Sequence, residues 1–156
     1  MTTDAKVIGD LLCALGGRLV TAESCTGGGL AAKITAISGA SAWYAGGWVT
    51  YSNAMKTSQL LVPEKCIKAH GAVSSQVAKS MCVGAIKQSG ASYALSTTGI
   101  AGPSGGTEEK PTGTVYIACG TADGIDVRHC LFSGTREQVQ KQSIDAALRL
   151  LFETIS

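Results

Sequence analysis

Arg18-Leu19-Val20-Thr21-Ala22-Glu23-Ser24-Cys25-Thr26-Gly27-Gly28-Gly29-Leu30-Ala31-Ala32-Lys33-Ile34 is the stretch whose reading decides the fold. Its opening is short and apolar and reads as a strand over 18–23. Its close is rich in small residues and reads as a helix over 28–37, ended near Ser38-Gly39. Between them stand a carboxylate, a hydroxyl, a thiol and a second hydroxyl, then three glycines. A strand that turns sharply into a helix exposes the turn residues and points the free N–H groups of the first helical turn at whatever lies there. Such a turn suits a nucleophile with an oxyanion or phosphate site beside it. A plain glycine-rich turn has the same local look, so the stretch needs its context.

Working outward, Ile8, Leu11, Leu12 and Leu15 recur at i, i+3, i+4 and i+7, which predicts an amphipathic helix. Thr2, Thr3 or Asp4 would cap it and Gly16-Gly17 would stop it. Downstream, Trp43 to Tyr51 is aromatic and β-branched, with a strand over 46–51. Ser52-Asn53 then caps a helix over 54–61. Lys56 falls in its first turn, where the helix dipole disfavours a cation. It is either a surface lysine or one whose basicity is pushed down. A short helix or turn follows over 63–69. Val77, Ala78, Met81, Cys82, Ala85 and Ile86 form one stripe of a helix over 74–89.

A strand over 93–98 runs into a long glycine-rich loop over 99–111, of a length usually functional or mobile. Two strands over 113–119 and 125–132 form a hairpin around Thr121-Ala122-Asp123-Gly124. His129 shares a face with Ile125, Val127 and Leu131, which reads as a core or edge position. Thr135 and Gln138 are spaced as a capping box for the last helix. Ile144, Ala147, Leu148, Leu151 and Ile155 supply its buried face. Strands and helices alternate early and a hairpin comes late. The expectation is an α/β fold, a layered α/β/α domain with a mixed β-sheet, in one domain over 1–156.

Composition narrows the function. Of 156 residues, 45% are hydrophobic and 15% charged, which excludes a disordered chain. The formal net charge of +2 argues against nucleic-acid binding through charge. No run approaches the roughly 20 apolar residues of a membrane span, and the first residues lack signal-peptide character, so a cytoplasmic protein is expected. Cys13, Cys66, Cys82, Cys119 and Cys130 read as small core residues. Only Cys25 sits where its chemistry matters. No cysteine or histidine spacing fits a metal site, and no metal or cofactor is expected.

Three separated stretches carry a resemblance. They are Thr21 to Gly28; then Val49-Thr50-Tyr51-Ser52-Asn53-Ala54-Met55-Lys56; then Ser96 to Gly106 together with Lys110-Pro111-Thr112-Gly113-Thr114-Val115-Tyr116. In this order they resemble the CinA C-terminal domain family, the nicotinamide mononucleotide (NMN) deamidases, in its stand-alone form. The resemblance implies metal-free hydrolysis of the carboxamide of NMN to nicotinic acid mononucleotide and ammonia, in pyridine nucleotide salvage. It implies a Ser–Lys arrangement that falls on Ser24 and Lys56.

An amide is a poor electrophile and needs an activated nucleophile, an oxyanion site and a proton for the leaving nitrogen. Ser24 would attack and Lys56 would take and return the proton. Alternatively, Ser24 only positions a water. Tyr51 would bond Lys56 or Ser24, or stack on the substrate ring. The N–H groups around Thr26, Gly27 and Gly28 are candidates for the oxyanion site. Glu23 would orient a hydroxyl. Thr98, Gly99, Gly102, Gly105 and Gly106 would approach the nucleotide, and Arg136, with Lys110 second, would hold its phosphate. Cys25 is the rival nucleophile; if the strand geometry continues through the turn, Ser24 and Cys25 cannot both face one pocket. Two other readings stand beside the amidase. One is a catalytically silent nucleotide-binding or regulatory homologue linked to competence or DNA damage. The other is a phosphotransferase, for which an Asp/Glu metal cluster is lacking. Trp43, Tyr44 and Trp48 are either core or the contact of a homo-oligomer.

Overall fold

The computed structural model describes residues 4–156. Thr2 and Thr3, two of the three expected caps, lie outside the described residues. Asp4 caps α1 (Ala5–Leu15) by accepting from the Lys6 N–H, and Gly16 closes it in the left-handed conformation. β1 (Leu19–Glu23) is buried at every position because it is flanked on both sides. β2 (Tyr44–Val49) and β3 (Tyr93–Gly99) run parallel to it, one on each edge. β4 (Thr114–Thr121) and β5 (Gly124–Leu131) extend the sheet as an antiparallel hairpin, giving the order β2-β1-β3-β4-β5.

The helices α2 (Gly29–Thr35), α3 (Asn53–Leu60), α4 (Glu64–His70), α5 (Ser75–Ser89) and α6 (Arg136–Ile155) complete the molecule. The chain leaves β1 in one direction to reach β2, then doubles back past β1 to reach β3. Right-handed crossovers that run in opposite directions place their helices on opposite faces. Accordingly, Ile8, Leu12, Leu30, Ile34, Leu148 and Leu151 form one core, beneath α1, α2 and α6. Leu60, Val77, Met81 and Cys82 form the other, beneath α3 and α5. The reversal at β1 is a topological switch point, where open α/β sheets place ligands beyond the carboxyl ends of the strands.

The expected mixed, layered sheet is therefore observed, with local corrections. β2 begins and ends two residues earlier than expected, so Tyr51 lies beyond the strand. Ser52 caps α3 as expected, accepting from the Met55 N–H. The hairpin turn is tighter than expected, with Thr121 paired directly to Gly124. His129 is an edge residue, exposed and stacked on Tyr116 at 4.6 Å, because its face is covered only as far as Val127. Leu131, on the same face, is exposed. Of the five cysteines expected in the core, Cys82 and Cys119 are buried, Cys66 and Cys130 are half-buried and Cys13 is exposed. Leu15, the last residue of the α1 stripe, is exposed as well. Trp43 belongs to the core, and the Tyr44 hydroxyl bonds that of Thr21 at 2.6 Å. Among the described residues, no helix is long and apolar enough to cross a membrane.

Gly84 on α5 fixes how α3 sits. A Cβ there would lie 1.6 Å from the Leu60 carbonyl oxygen, at the end of the helix that carries Lys56. Backbone against backbone leaves no side chain to yield. Gly84→Ala is expected to destabilise the protein by about 3 kcal/mol or more, read as a lowered midpoint in urea, despite alanine's better helix propensity.

Candidate active site

Ser24, the residue after β1, is held from both sides. Its N–H donates to the Thr97 carbonyl of β3 at 3.0 Å. One residue back, the Glu23 carbonyl accepts from the Thr50 N–H at 2.8 Å, which ties the exit of β1 to the exit of β2. From there the chain turns into α3, and Lys56 comes back over the strand ends. Its side chain is 1% exposed and Ser24 is 7% exposed.

The Lys56 amine has three neighbours. Nζ lies 2.8 Å from the Thr50 carbonyl oxygen, 3.2 Å from that of Tyr51 and 3.0 Å from Ser24 Oγ. No ion pair is recorded for it among the described residues. Burial disfavours the charged form, so the amine is held below the ordinary lysine range. The carbonyls are neutral acceptors and do not restore it as a carboxylate would.

A cavity of about 340 Å³ opens over this pair. It lies at the low end of the range for small-ligand sites. Tyr51, Thr98, Gly99, Gly102, Gly105 and Arg136 reach it, as expected from the sequence. Arg136 stands at the first position of α6. It donates to the Gly102 carbonyl at 2.7 Å and to the Tyr51 hydroxyl at 3.1 Å, so one guanidinium joins the glycine loop to the Tyr51 ring. Tyr51 touches Lys56 through its carbonyl, not its ring, and its side is largely open. Thr98 spends its hydroxyl proton on the Ala72 carbonyl at 2.9 Å.

Six expected site residues are not brought to the cavity: Glu23, Thr26, Gly27, Gly28, Gly106 and Lys110. Lys110 donates to the His70 carbonyl at 2.8 Å, closing the C-terminus of α4 and strapping the loop to it. Gly106 is packed against Thr112. Several N–H groups of the α2 turn are already engaged. Gly27 bonds the Ser24 carbonyl, Gly29 that of Thr26, and Leu30 and Ala31 bond the Glu23 carboxylate. The first helical turn, Gly29 to Ala31, is thus taken, and of the three candidates read for an oxyanion site Gly27 is taken as well.

Cys25 also corrects an expectation. β1 ends at Glu23, so strand alternation does not extend through the turn, and both Ser24 and Cys25 line the cavity. Burial pushes the Cys25 thiol up to about 12, with Glu23 adding to the shift. A protonated thiol is a poor nucleophile, which leaves Ser24 as the group with an adjacent base. The sequence reading missed Asn53, Ala72, Val73, Ile100, Ala101 and Ser104 as lining residues. Asn53 and Ser104 stand inside the quoted motifs and were open to notice. Ala72 and Val73 carry no chemical signal.

An α/β domain with a hydroxyl and an uncharged-leaning amine paired at its switch point is thus defined by fold and site. The CinA C-terminal domain model matches residues 1–155, and the chain belongs to that family. It is 49% identical over 151 residues to an Escherichia coli protein named nicotinamide-nucleotide amidohydrolase PncC, covering 96% of this chain and 91% of that one. A Pseudomonas putida protein of the same name is 47% identical over 148 residues, covering 95% and 92%. Among solved structures, the competence/damage inducible protein CihA from Agrobacterium tumefaciens superposes with a TM-score of 0.93 at 38% identity, covering 96% and 92%.

Two predictions come from this geometry. In native protein at pH 8, iodoacetamide is expected to label Cys13 first, with Cys25, Cys82 and Cys119 labelled only after unfolding, as read by peptide mass spectrometry. The second concerns linkage. Lys56 has a lower proton affinity folded than unfolded, so its contribution to stability is greatest above the unfolded value of about 10.4 and falls away as pH drops toward the folded value. Denaturant midpoints of wild type relative to Lys56→Met are therefore expected to rise with pH across that window.

Proposed function

We propose that this chain, as one domain, hydrolyses the carboxamide of nicotinamide mononucleotide to nicotinic acid mononucleotide and ammonia, with Ser24 as nucleophile and Lys56 as general base and acid. The observation that carries the mechanism is the set of three contacts at Lys56 Nζ. A neutral amine has two N–H bonds and one lone pair. In the charged form its three N–H bonds go to the Thr50 and Tyr51 carbonyls and to Ser24 Oγ; once one proton is lost, the two carbonyls keep the remaining N–H bonds and the lone pair falls toward Ser24 Oγ, whose proton it can take. The names of relatives at 47–49% identity supply the substrate class.

In this reading Ser24 Oγ attacks the carboxamide carbon as its proton passes to Nζ. Lys56, now charged, gives that proton to the departing nitrogen, and ammonia leaves behind a Ser24 ester. A water then attacks the ester carbon, gives its proton to Nζ and releases the acid; the proton returns to Oγ. The direct 3.0 Å contact between Nζ and Oγ favours this covalent route over a water placed between them. The positive pyridinium of the substrate keeps the amine uncharged by like-charge repulsion. Arg136 receives the 5′-phosphate, which an arginine fork matches better than a point charge does, and Lys110 is committed to the His70 carbonyl. Tyr51 offers its ring beside the guanidinium as a face for the pyridine. A protein that only binds nucleotide gains nothing from burying a lysine without a counter-charge, which is costly.

The same reading makes the protein cytoplasmic and self-associating. Val49, Tyr51 and Met55, all exposed, form an apolar rim beside the free edge of β2 that suits contact with a second copy.

Purified protein is expected to release ammonia from NMN. Ser24→Ala and Lys56→Ala should each lower kcat by about a thousandfold or more. Because the base must be uncharged, kcat should rise with pH through a value below the ordinary lysine range and fall on the acid side. Lys56→Arg, charged throughout, should be inactive at every pH. An active Lys56→Ala would end the proposal.

A further inference from the structure

Glu23 is a buried charged group that this mechanism does not use; its side chain is 1% exposed and does not reach the cavity. Its Oε1 accepts from the Thr26 hydroxyl at 2.6 Å and from the Leu30 N–H at 2.8 Å, and its Oε2 accepts from the Ala31 N–H at 3.1 Å. Residues 24–28 thus form a closed loop whose two ends are joined by one carboxylate. The cap residue of α2 is Gly28, which has no side chain to offer. Glu23 does the capping from the far side of the nucleophile.

The hydrogen positions follow from counting. Thr26 has one hydroxyl proton and gives it to Glu23. The 2.8 Å contact between the Thr26 and Thr97 hydroxyls is therefore donated by Thr97. A chain of donors runs from β3 through the turn to the carboxylate, and Thr97 is also the residue whose carbonyl holds the Ser24 N–H. The backbone carbonyl of Glu23 holds Thr50, whose own carbonyl receives Lys56 Nζ. Both members of the reacting pair are referred to one residue.

We propose that Glu23 is a positioning residue for the reaction: its carboxylate, through Thr26, sets the turn that places Ser24 Oγ against Lys56 Nζ, and it does not contact the substrate. This rests on the amidohydrolase reading above. Misplacing a nucleophile by an ångström is enough to cost about a hundredfold in rate. A side chain that only capped α2 would affect stability alone, and one that bound substrate would affect KM.

The test compares wild type, Glu23→Gln, Thr26→Val and the double variant. Glu23→Gln turns one acceptor into a donor facing N–H groups. Thr26→Val removes the hydroxyl that Glu23 Oε1 accepts from and leaves the Leu30 and Ala31 N–H contacts in place, so it reports even where Glu23→Gln folds poorly. For NMN, both single variants are expected to lower kcat by about ten- to a hundredfold with KM within threefold, and the double variant to lose less than the product of the two. Labelling of Ser24 by a sulfonyl fluoride, read by mass spectrometry without substrate, should slow in the same order. An increase in KM at constant kcat, or variants that lose only thermal stability, would overturn the proposal. Equal Ser24 labelling in folded wild type and Thr26→Val would overturn it too. Because the labelling needs no NMN, absent ammonia release with labelling in the expected order would sink the substrate reading and leave the role of Glu23 standing.

Discussion

An amine taken out of water and given only neutral acceptors is the constraint on which this molecule turns. Two backbone carbonyls and one hydroxyl surround Lys56 Nζ, and no carboxylate is recorded with it among the described residues. Burying a cation this way is unfavourable, and it lowers the proton affinity of the amine below the ordinary lysine range. The result is an amine of weakened basicity 3.0 Å from a serine hydroxyl. The helix dipole acts in the same direction, since Lys56 stands near the start of α3.

Holding such a group requires stiff surroundings, and the topology provides them. The pair forms where β1, β2 and β3 end, at the reversal of chain direction across the sheet. Two backbone bonds between strand exits, Ser24 to Thr97 and Thr50 to Glu23, and one from the exit of β3 to the start of β4, Ile100 to Thr114, hold these ends in register. On the other side, Gly84 lets α5 press directly on the end of α3. The cavity wall farther out is made differently. It is a glycine loop tied by single contacts from Arg136 and Lys110, so its shape depends on side chains rather than on the sheet.

The α2 turn shows how a local motif and its tertiary use part company. A glycine-rich strand-to-helix turn ordinarily presents free N–H groups to a ligand. Here the neighbouring carboxylate takes those of Leu30 and Ala31, and the first turn of the helix is closed to an anion. The difference lies in where one side chain points. Cys25 illustrates the same limit: its place in the cavity arises because β1 stops at Glu23, and its silence arises from burial.

What the sequence determined by itself was the set of elements and their order. Hydrophobic periodicity in α1, α5 and α6, the Thr135–Gln138 capping box and the alternation of strands with helices are local properties, legible because they act over a few residues. The motifs also marked Ser24, Lys56 and Tyr51, and a place at the start of the last helix marked Arg136. Only the tertiary structure decided that Lys56 is buried, that Tyr51 meets it through a carbonyl, that Glu23 faces inward and that Lys110 serves α4. Each of those outcomes depends on residues tens of positions away, at the junction of three strands. No rule of spacing records which groups will meet there, because desolvation and hydrogen bonding are settled by the neighbours that folding brings.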